Sequence, residues 1–117
     1  SQHEIASCWR EISAIHVAPI IETWIVELVN ATRQPQHISE QLASYLAYGL
    51  SPRGTLALER CARAQAWLVG RDAVRPEDVR FIAPAVMRHR LMLSYQASAD
   101  GCSADDVITM LLNAVVI

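Results

Sequence analysis

Residues 19–33 read PIIETWIVELVNATR. Ile21, Trp24, Ile25, Leu28 and Val29 recur at the three-and-four spacing of one helix face, while Glu22 and Glu27 fall off it. Pro19 stands at the first helical position, where its fixed φ suits the helix and its missing N–H is no loss. Gln34-Pro35 closes the pattern. The period is that of a helix, and it decides the fold class for the rest of the chain.

Upstream, residues 4–15 place Ile5, Cys8, Trp9, Ile12 and Ile15 on one face and predict a leading helix. Downstream, residues 34–50 are irregular, with Ser39 expected to cap a short helix carrying Leu42, Tyr45 and Leu46 that Gly49 stops. Ser51-Pro52 reads as a cap followed by a helix-starting proline. That helix is expected to reach about Leu68, to bury Ala57, Leu58, Cys61, Ala64 and Leu68, and to stop at Gly70. Pro76-Glu77-Asp78 opens another, with acids in the turn where the helix dipole favours them. Ala83-Pro84 is expected to interrupt it, with a further turn or two to about Arg90. Ser103 and Asp106 are spaced as a capping box before a last helix with Val107, Ile108, Leu111, Leu112 and Val115 inward. No segment alternates as a strand does. The expectation is one all-α domain over residues 1–117, a bundle of five or six helices, in which residues 1–17 lead and 34–50 connect.

Composition narrows the function. The chain has 117 residues, 52% hydrophobic and 19% charged, enough to bury a core. All ten basic residues are Arg, so no lysine chemistry of any kind is available. A net charge of −2 and a pI near 6.0 argue against a nucleic-acid binder. The charge is uneven, because residues 51–98 carry eight Arg against four acids while both flanks are acidic. Cys8, Cys61 and Cys102 form no C-x-x-C pair and read as small apolar residues of a reducing, cytoplasmic compartment. His3, His16, His37 and His89 are too scattered for a metal site. No membrane span and no targeting segment is found.

Arg53 is the residue that carries chemistry. It stands in the first turn of its helix, the end at which the dipole disfavours a cation by about 0.3–1 kcal/mol. An anion shared by the helix end and the guanidinium removes the conflict, and a phosphate fits both. Arg60 projects from nearly the same side seven residues on. The plain alternative is a solvated basic face, with Glu59 relieving Arg63. Arg88-His89-Arg90 is a second cluster, either cations at a helix C-terminus or a contact with a neighbouring subunit's nucleotide or surface. Trp9, Trp24 and Trp67 are expected in the core.

The stretches YGLSPRGTLAL (48–58) and CARA (61–64) resemble the C-terminal lid domain of MoxR-type AAA+ ATPases, where a G-x-S-P-R motif opens a lid helix. IVELV (25–29), ATR (31–33), GRDAVRPEDV (70–79), APAVMRHRL (83–91) and LSY (93–95) fit the same family in order. Leu50 and Gly54 replace the usual alanines, and Arg75 stands where the family often has a Thr cap. The resemblance implies that Arg53 is the sensor-2 arginine, a catalytic residue of the parent protein. Ser51 and Pro52 then direct it within the nucleotide-binding segment, and Arg60, Arg88 and Arg90 are contacts to a neighbouring subunit or nucleotide. It also implies an upstream core holding ATP and Mg²⁺, and a homo-oligomeric ring, typically hexameric. Clients would include proteins with von Willebrand factor A domains, in a chaperone-like maturation role. With no Walker A lysine, ATP hydrolysis is expected of the parent and not of this domain alone. Three rival readings are a magnesium-chelatase lid, a helix-turn-helix DNA binder on residues 51–90, and a scaffolding bundle.

Overall fold

The computed structural model describes residues 2–116. The order is α1 (Gln2–Ser13), α2 (Pro19–Arg33), a 3₁₀ turn (Pro35–His37), α3 (Glu40–Tyr45), β1 (Leu46–Tyr48), α4 (Pro52–Leu68), α5 (Pro76–Arg88), β2 (Met92–Leu93), α6 (Tyr95–Ala99) and α7 (Ala104–Ala114). The fold is all-α as expected, but with seven α-helices among the described residues and not five or six. The additions to the count are short pieces. The five-residue α6 buries Ala97 and ends where Gly101 turns to φ +70° and lets Cys102 N–H bond the Ala97 carbonyl. The strands, three and two residues long, pair antiparallel as Leu46 with Leu93 and Tyr48 with Met92. They are too short to show an alternating pattern.

The core forms where α2, α4, α5 and α7 meet. Trp24, Ile25 and Leu28 of α2, Leu58 of α4, Val79 and Met87 of α5, and Ile108 and Leu111 of α7 are almost fully enclosed. Each large apolar side chain so buried contributes about 1.5–3 kcal/mol. Trp24 Nε1 also donates to the Val115 carbonyl at 2.7 Å, and the Arg80 guanidinium lies 5.3 Å from its ring centroid. α7 starts with a full capping box, Ser103 Oγ accepting from Asp106 N–H and Asp106 Oδ2 from Ser103 N–H.

Four expectations are corrected. α1 forms, but none of its residues is buried, and Ile5 and Trp9 are each 58% exposed. Its apolar face meets only α4 closely, so a helical period did not mean a core position here. α4 buries Gly54, Leu58, Ala62 and Ala66, while Leu68 is exposed. The four are spaced four apart along one face, three of them are small, and α4 makes with α5 the most extensive helix pair among the described residues. Pro84 lies inside α5 without ending it. It offers no N–H to the Arg80 carbonyl, yet burial of Val79, Ala83, Val86 and Met87 on both sides carries the helix through. Gly49 does not stop α3, which has already ended at Tyr45.

Two features hold the connections. Gly70 has φ +80°, and behind it Arg71 N–H bonds Ala66 O while Gly70 N–H bonds Trp67 O, a Schellman end to α4. Gly49 lies so close to the end of α2 that a Cβ there would come within 2.1 Å of the Thr32 carbonyl oxygen. Buried Thr32 seals the contact: its Oγ1 donates to Val29 O at 2.6 Å and accepts from Leu50 N–H at 2.9 Å.

Candidate functional site

The Thr32 contact decides where α4 begins. Gly49 and Leu50 are pressed against the end of α2, and the chain then turns directly into Ser51, Pro52 and Arg53. Leu50 is buried, and its side chain sits where a Cβ on Gly54 would meet it at 3.0 Å. The first turn of α4 is therefore gripped on two sides.

Ser51 occupies the N-cap position with extended backbone (φ −76°, ψ 169°), but its hydroxyl makes no capping bond. The expected cap is thus absent, and α4 has no acid in its first turn. Pro52 starts the helix as read. Arg53 is exposed, and among the described residues no carboxylate pairs with it. A free guanidinium at an uncapped helix start is a site of positive potential with no carboxylate among the described residues to satisfy it. Beside it lies a cleft of about 400 Å³ lined by Arg33, Tyr48, Gly49, Ser51 and Pro52.

The other arginines are distributed differently. Arg60, two turns along α4, lines a separate groove of about 540 Å³ with Trp9, Ile12 and Leu56. Arg63 pairs with Glu59 at 3.0 Å, as the spacing predicts. Arg88 forms a fork onto Asp105 of α7, with Nε at 2.8 Å from Oδ1 and Nη2 at 3.1 Å from Oδ2. The Asp105 carboxylate holds that guanidinium above its usual pKa. Arg90 Nη1 donates to the Val86 carbonyl at 3.0 Å and finishes α5. Arg53 and Arg60 thus share one helix, while Arg88 and Arg90 are engaged at the end of another. Sequence reasoning overlooked Arg33 as a cleft residue, because only the Thr32–Leu50 bond between residues 18 apart brings it there. Among the described residues no cluster of His, Cys, Asp and Glu could hold a metal ion, and no helix is long and apolar enough to cross a membrane.

The family model described as the AAA lid domain matches residues 39–111. Chaperone MoxR1 of Mycobacterium tuberculosis is 42% identical over 93 residues, 79% of this chain and 25% of that one. Uncharacterized protein YeaC of Bacillus subtilis is 39% identical over 106 residues, 91% of this chain and 31% of that one. The crystal structure of a candidate ATPase from Cytophaga hutchinsonii superposes with a TM-score of 0.87 at 38% identity, over 92% of this chain and 33% of that chain. The chain spans about a third or less of the length of these proteins. On the matched residues and the shared fold, it belongs to the AAA lid domain family and is similar to MoxR-type members of it across most of its length.

Proposed function

We propose that this chain is the lid of a MoxR-type AAA+ ATPase, that it closes over ATP bound to the core of its parent protein, and that it delivers Arg53 to the phosphates. One observation carries the reading: Arg53 is a guanidinium with no ion-pair partner among the described residues, at an uncapped helix start whose approach is fixed by Gly49 and Thr32. As the terminal phosphoryl group is transferred, negative charge develops on its oxygens, and a guanidinium carried on a fixed stretch of backbone stabilises it. Ser51 and Pro52 set the direction of that side chain. Mg²⁺ would be held by the core and the nucleotide, since the described residues offer it no ligand cluster. Residues 1–17 would lead in from the core, with residues 34–50 as the connection inside the lid.

The similarity to a protein named as a chaperone supports a chaperone-like maturation ATPase working as a homo-oligomeric ring, with a hexamer as the arrangement proposed. Clients with von Willebrand factor A domains belong to the same proposal. Arg60 is the basic residue best placed to meet a neighbouring subunit, because Arg88 and Arg90 already have partners. The unpaired cysteines suit a reducing cytoplasm. Arg53→Ala in the parent protein should lower ATP turnover by roughly a hundredfold or more, with the helical circular dichroism unchanged. An unaltered rate would overturn the proposal.

A further inference from the structure

Arg33 is an exposed arginine at the end of α2, and among the described residues it has no ion-pair or side-chain hydrogen-bond partner. It lines the cleft that Tyr48, Gly49, Ser51 and Pro52 also line, at the start of the helix that carries Arg53. Its own helix end and that helix start are held together by an approach no Cβ could tolerate and by the buried bond from Leu50 N–H to Thr32 Oγ1. Arg33 therefore opens on the cleft at the very start of the helix whose second residue is Arg53, with the two backbones fixed to each other and neither guanidinium ion-paired among the described residues.

We infer that Arg33 is a second phosphate-binding residue of the same nucleotide site, contributing affinity for the bound nucleotide where Arg53 contributes to turnover. The inference rests on the proposed nucleotide reading of the cleft. The division of roles follows from position. Arg33 is at a helix C-terminus, where a cation is already favoured, and it needs no reacting charge to hold it there. It then attracts phosphate oxygens in the ground state and the transition state alike, which is the signature of uniform binding.

The test uses the full-length parent ATPase, with steady-state ATP hydrolysis, binding of ADP and thermal melting of three variants. Arg33→Ala should raise KM for ATP and Kd for ADP by roughly tenfold, with kcat within about twofold and the melting temperature unchanged. Arg33→Lys should restore part of the affinity, since a lysine keeps the charge but loses the planar fork. Arg53→Ala should lower kcat instead. If Arg33→Ala leaves KM and Kd as they were while Arg53→Ala cripples turnover, the role of Arg33 is overturned and the nucleotide reading stands. A loss of activity that follows a fall in melting temperature, with KM unmoved, assigns Arg33 a structural part and overturns the inference as well. If neither variant changes any of these quantities, the nucleotide reading itself falls.

Discussion

The starts of α4 and α5 are built from the same residue types to opposite ends. Each has proline at its first position and an arginine beside it, Arg53 after Pro52 and Arg75 before Pro76. At α5 the third helical residue is Asp78, buried to 1% exposure, and its Oδ2 accepts from Arg75 N–H at 2.8 Å and Arg71 Nη1 at 2.6 Å. The reciprocal half of a capping box is missing, because a guanidinium has no acceptor to offer. Glu77 adds weaker contacts to Arg71 and Arg75 at 3.4 and 3.7 Å. At α4 the third helical residue is Gly54, the first turn holds no acid and the cap hydroxyl is unused. A helix start that carries its own carboxylate has its positive end neutralised internally. One that lacks it keeps that potential for an anion brought by something else.

That contrast can be broken at either end. Asp78→Ala should destabilise the domain by about 2–3 kcal/mol in urea unfolding, less than for a wholly enclosed pair because Arg71 keeps contact with water. A variant as stable as the parent would mean that α5 owes nothing to the lock. The converse change places the missing acid at α4. Gly54→Asp should weaken nucleotide binding by the full-length ATPase roughly tenfold, since the new carboxylate competes for the same helix start and for Arg53. Gly54→Ala is the companion measurement, because it reproduces the crowding against Leu50 without the charge. Equal affinities for the two variants would remove electrostatics from the explanation.

The smallest effect is at a third helix start, that of α7, which carries a full capping box. Ser103 donates its backbone N–H to the carboxylate and holds Asp106 below its ordinary value of 3.8. A folded pKa below the unfolded one stabilises the native state above the unfolded value, and that contribution fades as pH falls through the folded one. Stability should therefore decline as pH drops below about 4. Asp106→Asn should flatten that decline slightly in acid titrations followed by circular dichroism, and an identical slope would show the box to be silent.

Much of the scaffold was legible because it rests on local signals. The stripe of α2 and the Ser103 box each lie within a few residues of chain, and the structure has both. α1 was legible as a helix but not as a surface helix, since periodicity records an apolar face and not what covers it. Pro84 was misread for the opposite reason: its local cost of about 3 kcal/mol is real, and packing on both sides of it outweighs that cost. The site divides the same way. The candidate residues Ser51, Pro52 and Arg53 are contiguous in sequence, whereas the placement of Arg33 beside them and the bond from Arg71 to Asp78 depend on contacts made only after folding. The failed cap at Ser51 is a matter of side-chain direction that no residue preference encodes.

The seal between Gly49 and Thr32 has a mechanical meaning for a lid. From Thr32, α2 runs back unbroken to Trp24, roughly 12 Å along its axis, and Trp24 grips α7 through the Val115 carbonyl. In the proposed lid, a pull on Arg53 would therefore be carried along α2 to its contact with the end of α7.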